Sequence, residues 1–465
     1  MRILISVAIL IATQLAYGQD SEEVVSLTLD DCINTALERN ITLKQARNNE
    51  IIAESNRFQS IMNFFPTVSA GIGYDYFFGN FFDTNAARQV TEATSSSSPN
   101  VQARLILFNG FSNHYQLKRR KFELESARQT TESTKQNIEN LILGSYLTVI
   151  LDKENIKIAQ DRVDLLEAQL DREKKRESVG VGNLESVYNF QSQLATQKLS
   201  LNTMENTLQR DLLTLFQAMA LDPEQEYQVM PYEVEESNLL LEVDPFDIIL
   251  EESLNSSPAL IAARNSQQAS RLQLKSAHAQ RYPTISVFGQ IGSNYSTNGA
   301  TNPTKPYRDP ATGDPGFNFE PDATFFEQME YNEYEYVNFS MSIPIFTRFQ
   351  TTNAVQTAKV NMVNAELDVT GALNTVTNLV QTAYLDLVSA QNTYISAKEN
   401  LAATTQTFEF MKKRFETGNT DFYTYLESLN NKNRAEVELI NSKYSIVFRQ
   451  KILELYRGES TSSEN

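Results

Sequence analysis

The chain has 465 residues and is acidic, since 58 aspartate and glutamate side chains against 40 lysine and arginine side chains give a formal net charge of −18 at pH 7. This balance argues against nucleic-acid binding. The single cysteine, Cys32, excludes an intramolecular disulfide, and the two histidines, His114 and His278, have no cysteine or second histidine near them in sequence, which argues against a metal site.

The first 18 residues have the pattern of a secretory signal peptide. Arg2 precedes an apolar run from Leu4 to Leu15, and small residues follow that run. The mature chain is therefore expected to begin near Gln19. Beyond this point no stretch of about 18 residues is uninterruptedly apolar, so the sequence predicts no membrane-spanning helix.

A first helix is predicted from about Thr28 to Phe64, followed by two strands at about 66–78 and 99–109. Apolar and polar residues alternate in both strands, as in strands that turn one face toward lipid. The Ser/Thr-rich segment from Gly79 to Pro99, which overlaps the strand ends, is predicted to be an extracellular loop. The predicted lipid-facing side chains are Val68, Ala70, Ile72, Val101, Ala103 and Leu105.

The next predicted element is a very long helix. The stretch from Ser112 to Val179 contains no proline and one glycine, Gly144, and as a helix it would reach on the order of 100 Å. Apolar residues recur at every seventh position along it, which is the pattern of coiled-coil packing. They are Ile142, Val149, Ile156, Val163 and Leu170. Gly180 is predicted to be the tip of a helical hairpin, with a further helix from Asn183 to Met219.

The chain then repeats this pattern. A first copy at 19–221 is joined by an acidic strap at 222–245 to a second copy at 246–457, and a polar tail at 458–465 follows. Shifting the heptad residues by 238 positions gives Val380, Leu387, Tyr394, Leu401 and Phe408, all of them apolar. Near the start of each copy the matching shift is 217, so the second copy carries an insertion of 21 residues in its hairpin loop. The sequence therefore predicts two copies of one structural unit.

The strands of the second copy are predicted at about 283–293 and 335–346, around a long loop from Ser296 to Tyr334. The predicted lipid-facing side chains in the last strand are Val337, Phe339, Met341 and Ile343. Four strands cannot close a membrane barrel, for which about eight strands are the minimum. An open edge in lipid also leaves backbone groups unpaired. If these are membrane strands, the protein must oligomerise.

Three pairs of motifs occur in the same order in both copies. Phe65-Pro66 and Tyr282-Pro283 precede strands, Leu107-Phe108-Asn109-Gly110-Phe111 and Ile343-Pro344-Ile345-Phe346 follow strands, and Val179-Gly180-Val181-Gly182 and Thr417-Gly418-Asn419 form the hairpin tips. Together they resemble the TolC-like outer-membrane efflux proteins over essentially the whole mature chain. Members often carry a glycine pair where this chain has Thr347-Arg348, so the bend there is expected to form without glycine.

The resemblance implies a mainly α-helical protomer with a β-barrel portion, built from four long or paired coiled-coil helical segments and four membrane strands. Three protomers would form a homotrimer with a twelve-stranded barrel in outer-membrane lipid, continuing into a periplasmic helical tunnel. In that family the trimer is a passive exit duct for tripartite efflux or type I secretion. It works with a periplasmic adaptor and an inner-membrane pump of the RND or ABC type.

The resemblance also implies two kinds of site. The adaptor-docking tips correspond to Val179, Gly180, Val181, Thr417, Gly418 and Asn419. The periplasmic gate corresponds to Tyr423, Thr424 and Glu427, with aromatic bulk from Tyr423 or Tyr425 sharing the closure. Some members carry two aspartates at the positions of Thr424 and Glu427, so the acidic ring is expected to be weaker here. Asp421 is expected to cap the following helix rather than to gate the tunnel.

Two other classes of protein stay open at this point. A surface coiled-coil fibre or adhesin would explain the heptads but not the paired amphipathic strands. A secreted periplasmic enzyme would need a catalytic constellation, and the sequence contains no nucleophile elbow, phosphate loop or metal-binding triad. Neither enzymatic activity nor a cofactor is therefore predicted.

Overall fold

The computed structural model of the chain describes residues 25–83, 88–222, 225–297, 304–308, 315–318 and 324–458. The predicted signal peptide at 1–18, the expected mature start at Gln19 and the tail beyond Gly458 lie outside these residues. Two compact units are formed by the described residues. The helical unit takes 25–51, 126–264 and 368–458, and the sheet unit takes the described parts of 52–125 and 265–367.

The elements follow one another in similar order in the two halves of the chain. The first half contains β1 (Val25–Leu27), α1 (Leu29–Arg39), α2 (Ile41–Met62), β2 (Thr67–Gly71), β3 (Tyr74–Asp83), β4 (Arg88–Ser97), β5 (Asn100–Asn109), α3 (Ser112–Ser178) and α4 (Leu184–Ala218). The strap contains β6 (Tyr227–Val229) and a short 3₁₀ helix (Glu236–Asn238). The second half contains α5 (Phe246–Ser256), α6 (Pro258–Ala279), β7 (Thr284–Gly292), β8 (Tyr295–Ser296), β9 (Thr304–Arg308), β10 (Pro315–Asn318), α7 (Phe325–Tyr331), β11 (Tyr334–Ser342), α8 (Gln350–Glu416) and α9 (Phe422–Arg457).

The two longest helices, α3 and α8, have 67 residues each. α3 confirms the long helix predicted from the absence of proline, and α8 begins and ends 238 positions after it. The seventh-position residues pack in the interior, as predicted: Ile142, Val149, Val163, Leu170, Val380, Leu387, Tyr394 and Phe408 are buried, and Ile156 and Leu401 are half-buried. The heptad period therefore reports helix packing. No helix in the described part of the chain is both long and apolar enough to cross a membrane.

The predicted single helix from Thr28 to Phe64 is wrong, because the chain breaks at Asn40 into α1 and α2. Asn40 has ψ of 128°, outside the helical region, and its side-chain Oδ1 accepts a hydrogen bond from the amide of Thr42 at 2.8 Å. Short polar side chains compete in this way with the helical backbone. Ser257, 217 positions later, separates α5 and α6 in the same manner.

The strap crosses the helical unit and is held largely through its backbone carbonyls. Tyr146 Oη on α3 donates to the Met230 carbonyl at 2.8 Å. Gln391 Nε2 on α8 donates to the Leu241 carbonyl at 3.0 Å. The strand of the strap, β6, pairs in parallel with β1. The strap thus connects the start of the described chain to both long helices.

The main sheet of the sheet unit is four-stranded and antiparallel, with the order β11-β7-β5-β2. β5 and β7 lie at its centre, so β2 and β11 each present one edge without a strand partner within the described residues. One row across all four strands runs Val68, Ala103, Gly289 and Val337. Residues opposite one another share a face, so the register places the predicted lipid-facing residues of β2, β5 and β11 together.

Two of the predicted lipid-facing residues lie outside the strands. Ile72 falls in the break between β2 and β3, and Ile343 follows the end of β11. Pro344 accounts for the early end of β11, because proline offers no backbone donor and restricts the residue before it. The loop predicted from Gly79 to Pro99 is also wrong: β4 pairs with β3 along ten residues, and β8 adds a third strand.

The two junctions between sheet and long helix share one backbone conformation. Before α3, Gly110 and Phe111 have φ of +67° and +66°. Before α8, Arg348 and Phe349 have φ of +48° and +67°, so the second bend does form without glycine. At the first junction glycine is required, because a Cβ on Gly110 would lie 2.5 Å from the carbonyl oxygen of Ala279.

We predict that Gly110→Ala destabilises the protein by more than about 1 kcal/mol, because it combines a left-handed φ with a backbone clash. Gly144→Ala is the matched control: Gly144 lies inside α3, a Cβ there meets no atom within 4 Å, and alanine should stabilise a helix by about 0.5–1 kcal/mol. Thermal unfolding followed by circular dichroism measures both. Equal midpoints for the two variants would contradict the prediction.

Candidate functional site

Both helical hairpins end in the same hydrogen-bonded turn. Gly180 and Gly418 have φ of +78° and +74°, as expected for the residue that ends a helix in the left-handed conformation. The amides of Val181 and Asn419 each donate to the carbonyl five residues earlier, at 3.0 and 2.8 Å. A Cβ on either glycine meets nothing within 4 Å. The backbone of each tip is therefore held by hydrogen bonds, while the space around its glycine is open to a partner.

The tips differ in chemistry. The first tip exposes two apolar side chains, Val179 and Val181. At the second tip Thr417 and Asn419 are exposed and bond to each other, with Asn419 Nδ2 donating to Thr417 Oγ1 at 3.1 Å. The first tip is thus an apolar contact surface and the second a polar one.

The helix after the second tip begins with the predicted cap. Asp421 accepts hydrogen bonds from the hydroxyl of Thr424 at 2.7 Å and from its amide at 3.0 Å. These two bonds lower the pKa of Asp421 and keep its carboxylate at the start of α9. The hydroxyl of Thr424, one of the three predicted gate residues, is consequently engaged in the cap.

Tyr425 lies in an aromatic cluster that joins the helices just above the tips. Its ring stacks on Phe415 with centroids 4.9 Å apart, and Phe190 meets Phe422 edge-on at 4.6 Å. Burial raises the pKa of Tyr425 to about 12. The expectation that Tyr425 shares the closure of a gate is wrong, because its side chain is fully buried among these rings.

The other two predicted gate residues, Tyr423 and Glu427, are brought to one exposed strip of α9. The Tyr423 side chain is 66% exposed, and Glu427 is exposed one helical turn later. Spacing of four residues puts both on the same face. Sequence reasoning missed Arg434, which is exposed one heptad after Glu427 and so extends this strip with the opposite charge. Its position seven residues after Glu427 is the sequence signal that could have identified Arg434.

The sheet carries a different kind of surface. One face is apolar and exposed, with Val68, Val101, Val337, Phe339 and Met341 all open to solvent in the single chain. The other face carries polar pairs, such as Gln102 Nε2 donating to Ser69 Oγ at 3.1 Å. No group of three or more His, Cys, Asp or Glu side chains that could hold a metal ion occurs within the described residues.

Comparison with known proteins gives the family. Residues 32–221 and 249–459, most of the chain, match the outer membrane efflux protein family. The chain belongs to this family. Over 337 residues it is 21% identical to outer membrane protein TolC of Vibrio cholerae, an alignment that covers 71% of this chain and 69% of that protein.

Solved structures show the same fold. The outer membrane protein VceC from Vibrio cholerae has a TM-score of 0.76 at 14% identity, covering 93% of this chain and 97% of that one. The CmeC outer membrane channel of Campylobacter jejuni also has a TM-score of 0.76, at 16% identity, covering 93% and 87%. Membership of the outer membrane efflux family supports an efflux channel in the outer membrane.

Proposed function

We propose that the chain is one of three identical subunits of an outer-membrane exit duct, which passively conducts substrates delivered by an inner-membrane pump. The observation that carries this proposal is the open four-stranded sheet with one exposed apolar face. In lipid, each unpaired backbone group at the edges of β2 and β11 would cost several kcal/mol. Pairing β2 of one subunit with β11 of the next would satisfy both edges and close twelve strands into a barrel.

The same proposal covers the rest of the chain. We infer that residues 1–18 direct export, and that 19–221 and 246–457 are two copies of one unit joined by the strap. The equal lengths of α3 and α8 support the two copies. The barrel strands would lie in the outer membrane, with Val68, Ala70, Val101, Ala103, Leu105, Val337, Phe339 and Met341 toward lipid. The long helices would extend through the periplasm, consistent with a length on the order of 100 Å.

We propose that the helical tips dock a periplasmic adaptor, which links the duct to a pump of the RND or ABC type. The open backbone at Gly180 and Gly418 and the exposed valines of the first tip support docking there. The apolar tip would contribute most to affinity, because burial of Val179 and Val181 removes apolar surface from water. The polar second tip would contribute orientation through hydrogen bonds.

Native mass spectrometry of the detergent-extracted protein tests the assembly. We expect three copies, because four strands cannot satisfy their own edges in lipid. The extracted protein should also give discrete currents in a planar bilayer. A monomer that inserts stably in bilayers would refute the proposed duct.

Gly180→Glu should abolish export while the trimer still forms, because the tip has open space for the side chain but the adaptor would meet a charge. Gly180→Ala is the matched control, since it bears the same left-handed backbone cost of about 1–2 kcal/mol without bulk or charge. Export of a reporter substrate and trimer abundance are measured together. Export by Gly180→Glu equal to that by Gly180→Ala would argue against docking at this tip.

We propose that Tyr423 and Glu427, flanked by Thr424, narrow the resting tunnel near its periplasmic end. Three Glu427 carboxylates around a threefold axis would attract cations. Glu427→Gln should therefore lower cation preference in planar-bilayer recordings. Tyr423→Ala should raise conductance, because it removes an exposed ring from the same strip.

Two further variants control the gate experiment. Arg434→Gln should shift selectivity in the opposite direction to Glu427→Gln, since it removes a positive charge from the strip. Tyr425→Phe should leave current unchanged, because that ring is buried. Unaltered current and selectivity in both Glu427→Gln and Tyr423→Ala would place the constriction elsewhere.

A further inference from the structure

Two arginines flank the helix-facing end of the second pair of membrane strands. Arg281 lies three residues before β7, and Arg348 lies six residues after β11. Thr284, the first residue of β7, pairs with Ser342, the last residue of β11. Both arginine-bearing segments therefore leave the sheet at the same end.

The first half of the chain has no counterpart to this pair. The shift of 217 places Phe64 at the position of Arg281, and the shift of 238 places Gly110 at the position of Arg348. Gly110 cannot accept a side chain, because a Cβ there would meet the Ala279 carbonyl. Arg348 adopts the same left-handed conformation without being glycine. The second junction thus carries an exposed cation at a backbone position that favours glycine.

Both side chains are exposed, and within the described residues neither is part of an ion pair. Their neighbours in sequence are large apolar groups open to solvent: Ile345 is 94% exposed, and Phe346 is 83% exposed. Aromatic and aliphatic side chains mixed with arginine are typical of the boundary between lipid tails and headgroups. This pattern fits an environment that is apolar on one side and anionic on the other.

The strand that would lie beside β11 in the proposed trimer brings no carboxylate to the arginines. In the proposed trimer, β11 faces β2 of the next subunit, and the approach to that strand, residues 57–74, contains no aspartate or glutamate. A phospholipid supplies both requirements, since its acyl chains cover apolar groups and its phosphate accepts paired hydrogen bonds from a guanidinium. Phosphatidylglycerol fits better than phosphatidylethanolamine, because the ammonium of the latter would face two further cations.

We propose that Arg281 and Arg348 form a binding site for the phosphate of an anionic phospholipid in the periplasmic leaflet of the outer membrane. The proposal rests on the proposed function, because it requires the sheet to lie in that membrane with the long helices in the periplasm. The site would hold about one lipid per subunit, with the phosphate between the guanidinium groups. The chains would lie on Ile345 and Phe346.

Native mass spectrometry of the trimer, titrated with phosphatidylglycerol or phosphatidylethanolamine in detergent, tests this site. The unaltered trimer should retain phosphatidylglycerol preferentially. The double variant Arg281→Gln with Arg348→Gln should lose this lipid by roughly tenfold, since it removes charge-assisted hydrogen bonds. The double lysine variant should retain part of the binding. The matched control is Arg271→Gln, an exposed helical arginine that pairs with Glu366 and should bind lipid as the unaltered protein does.

Four outcomes would overturn the site. They are unchanged phosphatidylglycerol retention by the double glutamine variant, equal loss in Arg271→Gln, no preference between the two lipids, and full displacement of the lipid by an equal concentration of inorganic phosphate. A conducting trimer with any of these results refutes the lipid site alone. A protein that forms no trimer refutes the duct and the lipid site together.

Discussion

Backbone hydrogen bonding at the two edges of the four-stranded sheet is the constraint on which the rest of this molecule depends. In the part of the chain that the structure describes, β2 and β11 each keep one unpaired edge, because β5 and β7 occupy the centre of the sheet. In the proposed trimer, further copies of the same sheet would pair with both open edges, and lipid would cover the exposed apolar face. The threefold axis of the proposed trimer would relate the helices of the three subunits as well as their strands, including α9 with Tyr423 and Glu427.

The helical unit is held together by regular packing of side chains. α3 and α8 present a buried stripe at every seventh residue, and the aromatic cluster around Tyr425 joins the helices near the tips. The strap connects both long helices through carbonyl hydrogen bonds, which do not depend on the side chains of the strap. The buried side chains of this unit therefore lie along the long helices and around Tyr425, while the tip glycines stay open for contact.

Sequence reasoning succeeded where one physical signal dominated. The ends of α3 followed from the lack of proline, and the shared face of Val68, Ala103 and Val337 followed from alternation. It failed where the structure is determined by a local hydrogen bond or by a partner that is distant in sequence. Asn40 ends a helix by capping the next one, and β4 is a strand because β3 pairs with its serines and threonines. The burial of Tyr425 depends on apolar and aromatic residues of three other helices, two of which lie far from it in the sequence.

The parallel pairing of β1 with β6 imposes an order on folding. Their residues lie roughly 200 positions apart, so during synthesis this pairing cannot form until the whole first half of the chain has been made. The length of the loop matters less, because each doubling adds only about 0.6 kcal/mol to the entropic cost of closing it. The helices α3 and α4 are consecutive in the chain, so their hairpin can form before β6 has been made. Cys32 packs in the same core as Val229 of β6, where burial raises the pKa of its thiol to about 12. The one thiol of the chain is therefore unreactive in the folded subunit, so its reaction with a thiol reagent would report an opening of the core that β1 and β6 share.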